Sequence, residues 1–157
     1  MTGSTSSQQI SFEKDAQLVD KLLKVLTREQ SSLVISDVNA IESLMLEKSE
    51  LLQLINITVK SRYAALAAKG FESNEIGMIA WLKSQNSPVI NEAWQSFQKT
   101  LNQAKEMNRL NGMIISKHFN RNQQLLNHLQ GNADHADVYA KNGQAKPSSS
   151  SRASLIV

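Results

Sequence analysis

The chain has 157 residues, enough for one domain with a modest core, and no cysteine, which excludes disulfides, thiolate metal sites and cysteine nucleophiles. Phe, Trp and Tyr total eight residues, and Gly and Pro are scarce, so long helices with few tight turns are expected. The net charge of +3 comes from Lys141, Lys146 and Arg152 in residues 141–157, which contain no acid, leaving 14 bases against 14 acids in residues 1–140; such a neutral body is a poor nucleic-acid binder, since that affinity comes mainly from neutralised phosphates.

In chain order, residues 1–10 open with a polar stretch and are read as a disordered N-terminus; without a basic head or an apolar run they do not read as a signal peptide. Ser11 is expected to cap a first helix whose apolar positions are Phe12, Ala16, Val19, Leu22, Leu23, Leu26 and Leu33, at steps of three and four. The pattern loosens from Ser31 to Ser36, where a break or kink is expected. Asp37 can cap a second helix, with a stripe through Ile41, Leu44, Met45, Leu51, Leu52, Ile55, Val59 and Leu66. Gly70 supplies its stop.

Asn74 to Ser84 reads as a short third helix holding Met78, Ile79, Trp81 and Leu82. The longest apolar run, Ile76 to Leu82, is far below the roughly 18 residues of a membrane span. A soluble cytoplasmic protein is therefore the expectation. Ser87-Pro88 marks a helix start, with a serine cap and a proline at the first helical position. That helix is expected to run unbroken to Gly131. Ile90, Trp94, Phe97, Leu101, Ala104, Asn108, Asn111, Ile115, His118, Asn122, Leu125 and Leu129 step along it with the 3.5-residue period of a coiled-coil seam. Ile114, Phe119 and Leu126 form a neighbouring stripe. Two apolar faces on one helix exceed what a single internal partner can cover, and the surplus marks a binding surface. Residues 132–157 turn polar, with Lys146-Pro147 and four serines, and read as a mostly flexible tail.

The expected fold is all-α: an antiparallel bundle of three long helices plus one short helix over residues 11–131, with coiled-coil-like packing. Little in it suggests chemistry. His128, Asp134, His135 and Asp137 straddle Gly131 at a spacing that matches no metal template. His118 with Arg121 is similar to a histidine phosphotransfer site, but Asn122 stands where a small residue belongs and His118 falls on the seam. Lys105, Arg109, Lys117 and Arg121 make a small basic stripe that reads as a solvated face. No nucleophile triad, phosphate-cradling loop or carboxylate pair is present, so no enzyme, metal or cofactor is expected.

Several stretches together resemble the FlgN family. They are Leu22-Leu23 to Glu29, Asp37 to Leu52 with its Glu47-Lys48, Asn108-Arg-Leu-Asn111-Gly112, Asn122-Gln123, Leu126 to Leu129, and Val138-Tyr139-Ala-Lys-Asn142-Gly143-Gln144. The ordered asparagine and glycine motifs, with Asn108, Asn111, Gly112, Asn122 and Gly143, are the specific part. The resemblance spans residues 12–144 and leaves 145–157 without a role. It implies a chaperone that binds C-terminal helical segments of the hook–filament junction proteins FlgK and FlgL. It also implies delivery of these clients to the flagellar type III export apparatus. Client contacts would be Ile114, Ile115, Phe119, Leu125, Leu126 and Leu129, and Tyr139 would dock to the export-gate protein FlhA. Two other readings remain: a homo-oligomeric scaffold pairing residues 90–129 with its own copy, and a phosphotransfer protein using His118.

Overall fold

A computed structural model describes the backbone of residues 9–140 and the side chains of residues 9–132. Four helices make up the described chain: α1 (Glu13–Val34), α2 (Val38–Ala68), α3 (Glu75–Gln85) and α4 (Pro88–Ala140). The chain divides into two units, Met1–Ile115 and Ser116–Val157.

In the first unit each helix end has a local chemical cause. Phe12, not Ser11, takes the N-cap position of α1; the Ser11 hydroxyl still accepts a bond from the Glu13 N–H at 3.3 Å. The ordered chain also reaches further back than expected, because Ile10 is buried in the core. The break after α1 falls at Ser36, whose φ of 55° is left-handed. Asp37 then caps α2 by accepting from the Ala40 N–H at 3.2 Å. At its other end Gly70 (φ 84°) lets the Phe71 N–H reach the Leu66 carbonyl and its own N–H reach Ala67. Phe71 and Leu66 both join the core, which completes a Schellman stop. Asn74 caps α3 through the Gly77 N–H, and Ser87 caps α4 through the Ile90 N–H.

α1 and α2 run antiparallel. Asp15 meets Thr58 and Arg62 near one end, and Glu29 meets Lys48 near the other. Arg28 and Glu47 add an exposed pair beside the buried one. α4 enters in the direction of α1: Phe12 packs edge-on against Trp94 at 5.2 Å between centroids, and the Leu26 carbonyl receives the Asn111 amide. Val19, Leu22, Val25, Leu26, Leu44, Leu51, Leu66, Met78, Trp81, Leu82, Trp94, Phe97 and Ala104 fill the core between these helices.

The expected seam of α4 needs one correction. Met107 packs against the core while Asn108 is exposed, and Ile114 is half-buried while Ile115 is 41% exposed. From Ala104 onward the inward stripe therefore runs through Met107, Asn111 and Ile114. A three-residue step covers about 300° of a helical wheel and falls about 60° short of a full turn, so the buried face of α4 moves round the helix at Ala104–Met107. In α2, Met45 and Leu52 were expected on the inner stripe but are exposed.

The second unit consists, as far as it is described, of the remainder of α4. The helix does not stop at Gly131; it continues to Ala140. A lone glycine costs a helix only about 1 kcal/mol, and the polar residues on either side are all compatible with helix. Residues 141–157 lie outside the described residues.

Candidate functional site

In the second unit every described side chain from Phe119 to Asn132 is exposed. Four of them are large and apolar: Phe119 and Leu129 at 63%, Leu125 and Leu126 at 53%. At 100° per residue these four and Asn122 fall within an arc of about 120°. Lys117, Arg121, Gln124 and His128 lie on the far side. This is an amphipathic helix surface with its apolar stripe open to solvent. No acid occurs between Glu106 and Asp134, so the flanks of the stripe are neutral or basic.

The expected contact residues divide between the units. Ile115 is partly exposed and Ile114 is half-buried in the first; Phe119, Leu125, Leu126 and Leu129 are open in the second. Asn111 is fully buried, and its Nδ2 donates to the Leu26 carbonyl at 2.9 Å while its Oδ1 has no partner. Asn108 and Asn122 are exposed. Gly112 is exposed as well, and a Cβ there would meet nothing. The asparagines are thus not one site: Asn111 ties α4 to α1, and the other two face solvent.

His118 is half-buried, and His128 is exposed beside Asn132 at 3.4 Å. The side chains of Asp134, His135, Asp137 and Tyr139 lie outside the described residues, as does Gly143 altogether. Among the described residues no group of three His, Asp or Glu side chains could hold a metal. The basic stripe is interrupted, because Arg109 grips Glu106 with two hydrogen bonds of 2.7 and 2.9 Å. That hydrogen bonding, ahead of any burial, holds the Glu106 carboxyl below its ordinary range. No described helix is long and apolar enough to cross a membrane.

Comparison with known proteins adds a match to one family model, described as FlgN protein, over residues 1–147. The chain belongs to the FlgN family. FlgN proteins are flagellar export chaperones, a family not known for enzymatic activity, and that broad role comes with membership. No curated protein and no solved structure matches the chain. In this FlgN chain the exposed apolar stripe belongs to the second unit, where every described side chain from Phe119 onward is exposed.

Sequence reasoning missed a second exposed apolar set, Leu46, Leu54 and Ile57 on α2. Its signal was available: Leu46 and Ile57 lie three turns apart and out of phase with the inner stripe of that helix.

Proposed function

We propose that this chain is a cytoplasmic chaperone that binds C-terminal helical segments of FlgK and FlgL and delivers them to the flagellar type III export apparatus. The observation that carries the reading is the open apolar stripe Phe119, Leu125, Leu126 and Leu129 on α4. An amphipathic client helix lays its own apolar face along this stripe, as in other helix-in-groove complexes. Each large apolar side chain so buried contributes about 1–3 kcal/mol before ordering costs, and micromolar affinity needs about 8 kcal/mol. In the first unit Ile115, which is exposed, and Ile114, which is half-buried, are proposed as further client contacts. Release needs no chemistry on the chaperone, only a competing contact at the export gate. Tyr139, near the end of α4, is proposed as the contact to FlhA, with Gly143 in the motif that follows it.

Calorimetric titration with the C-terminal helical segment of a FlgK-type protein tests this reading. Saturable one-to-one binding that Phe119→Asp abolishes, with helicity unchanged, is the expected result. A well-folded chain that takes up no client segment would remove it.

A further inference from the structure

α2 has more apolar surface than its own protomer uses. Leu44, Leu51 and Leu66 face the core, yet on the opposite side Leu46 is 71% and Ile57 62% exposed, and Leu54 on the flank is 48% exposed. Leu46 and Ile57 share one azimuth to within about 20° and stand about 16 Å apart along the helix axis. Between them lie Glu50 and Gln53, both exposed. Four residues before Leu46 is Glu42, and three residues after Ile57 is Lys60. Both fall on the same narrow stripe, both are exposed, and neither is in an ion pair among the described residues.

The order acid, apolar, polar, apolar, base along one helix is self-complementary when reversed. Turning a second α2 antiparallel about a two-fold axis near Leu51 and Leu52 sets Leu46 against the second copy's Ile57. The same rotation sets Glu42 against the second copy's Lys60, and Glu50 against its Gln53. Each contact occurs twice, as an isologous interface requires. A parallel pairing would instead set Glu42 beside Glu42 and Lys60 beside Lys60, so the charges select the antiparallel arrangement.

We infer that the outer face of α2 is a self-association surface, on which a second copy of this chain docks antiparallel through Leu46, Ile57 and the Glu42–Lys60 pairs. The surface is separate from the α4 stripe and does not depend on the client reading. With two apolar layers and exposed ion pairs, the dimer is weak and reversible, and salt weakens it further.

Sedimentation velocity on the full chain from about 5 to about 500 µM tests the inference, because weak self-association shows across that range. The expected result is a concentration-dependent monomer–dimer equilibrium that Leu46→Asp abolishes. Lys60→Glu alone brings like charges together at both ends and is expected to weaken the dimer about tenfold or more. Adding Glu42→Lys to it restores the opposite pairing, and affinity returns to within about threefold of the original. All three positions are exposed, so circular dichroism is expected to stay unchanged. A wild-type chain that stays monomeric throughout would overturn the inference. So would a Leu46→Asp chain that dimerises normally, which would move the interface elsewhere, for instance to α4. Failure of the charge swap to restore what Lys60→Glu removed overturns it as well. Finally, a monomeric Leu46→Asp chain that has lost a FlgK-type segment would assign this face to the client instead.

Discussion

The Asp15 carboxylate and the Arg62 guanidinium meet inside the first unit, with Nη1 donating to Oδ2 at 2.5 Å and both side chains almost wholly buried. Thr58 donates to the other carboxylate oxygen, and the guanidinium lies 5.5 Å from the centre of the Trp94 ring. One ion pair thereby joins α1, α2 and α4. Removing one partner strands a buried charge. Asp15→Ala is therefore expected to cost about 3–5 kcal/mol in denaturant melts, and a paired Asp15→Leu, Arg62→Met replacement to recover most of that loss. If the single variant melts like the wild type, the pair is solvated rather than buried.

The two asparagines of the Asn108–Asn111 motif should separate cleanly. Asn111→Ala removes a buried hydrogen bond and leaves a small void, for an expected loss of about 1–3 kcal/mol. The Asn108 side chain is exposed, so Asn108→Ala should change stability by less than about 0.5 kcal/mol. Chemical denaturation of both variants decides the matter, and equal losses would contradict the geometry.

Two glycines inside helices call for opposite outcomes. Gly77 is buried in α3, and a Cβ there would collide with the Glu72 backbone, so Gly77→Ala should lose more than about 2 kcal/mol. Gly112 has open space around it, and Gly112→Ala should gain about 0.5–1 kcal/mol from helix propensity. Thermal melts of the two variants moving in opposite directions are the expected result.

Alkaline pH offers a further measurement. Burial, and then the Glu75 carboxylate that accepts from the hydroxyl at 3.1 Å, raise the Tyr63 phenol above its ordinary value. Because the folded value lies above the unfolded one, the resulting stability is fully present below about pH 10 and is lost as pH rises through the folded value. Stability measured from about pH 8 to about pH 11 should fall at the upper end, and Tyr63→Phe should lose less over the same interval. An identical alkaline slope in both proteins would take Tyr63 out of the account.

Much of this protein was legible in its sequence because the signals are local. The Asp37 cap, the break at Ser36, the Gly70 stop and the Ser87-Pro88 start depend only on a few neighbouring backbone groups. Helix periodicity likewise placed Val19, Leu22, Leu26, Leu44, Leu51, Trp94 and Phe97 in the core. Family membership followed from the order of short motifs, and the apolar stripe at Phe119, Leu125, Leu126 and Leu129 was visible as a surplus over one internal partner.

Tertiary structure decided what depends on where helices meet. Periodicity could not choose Met107 over Asn108, since both lie within one step of the seam; only the approach of α4 to α1, fixed by Phe12 with Trp94 and by Asn111 with Leu26, settles which turns inward. Nor could it find the partners of Asp15 and Glu29, because Arg62 and Lys48 lie far along the chain and meet them only in the antiparallel pair. Leu46 and Ile57 count as apolar in any sequence reading. Their exposure is set by which side of α2 the core claims, and that depends on the summed packing of three helices rather than on any residue's own preference.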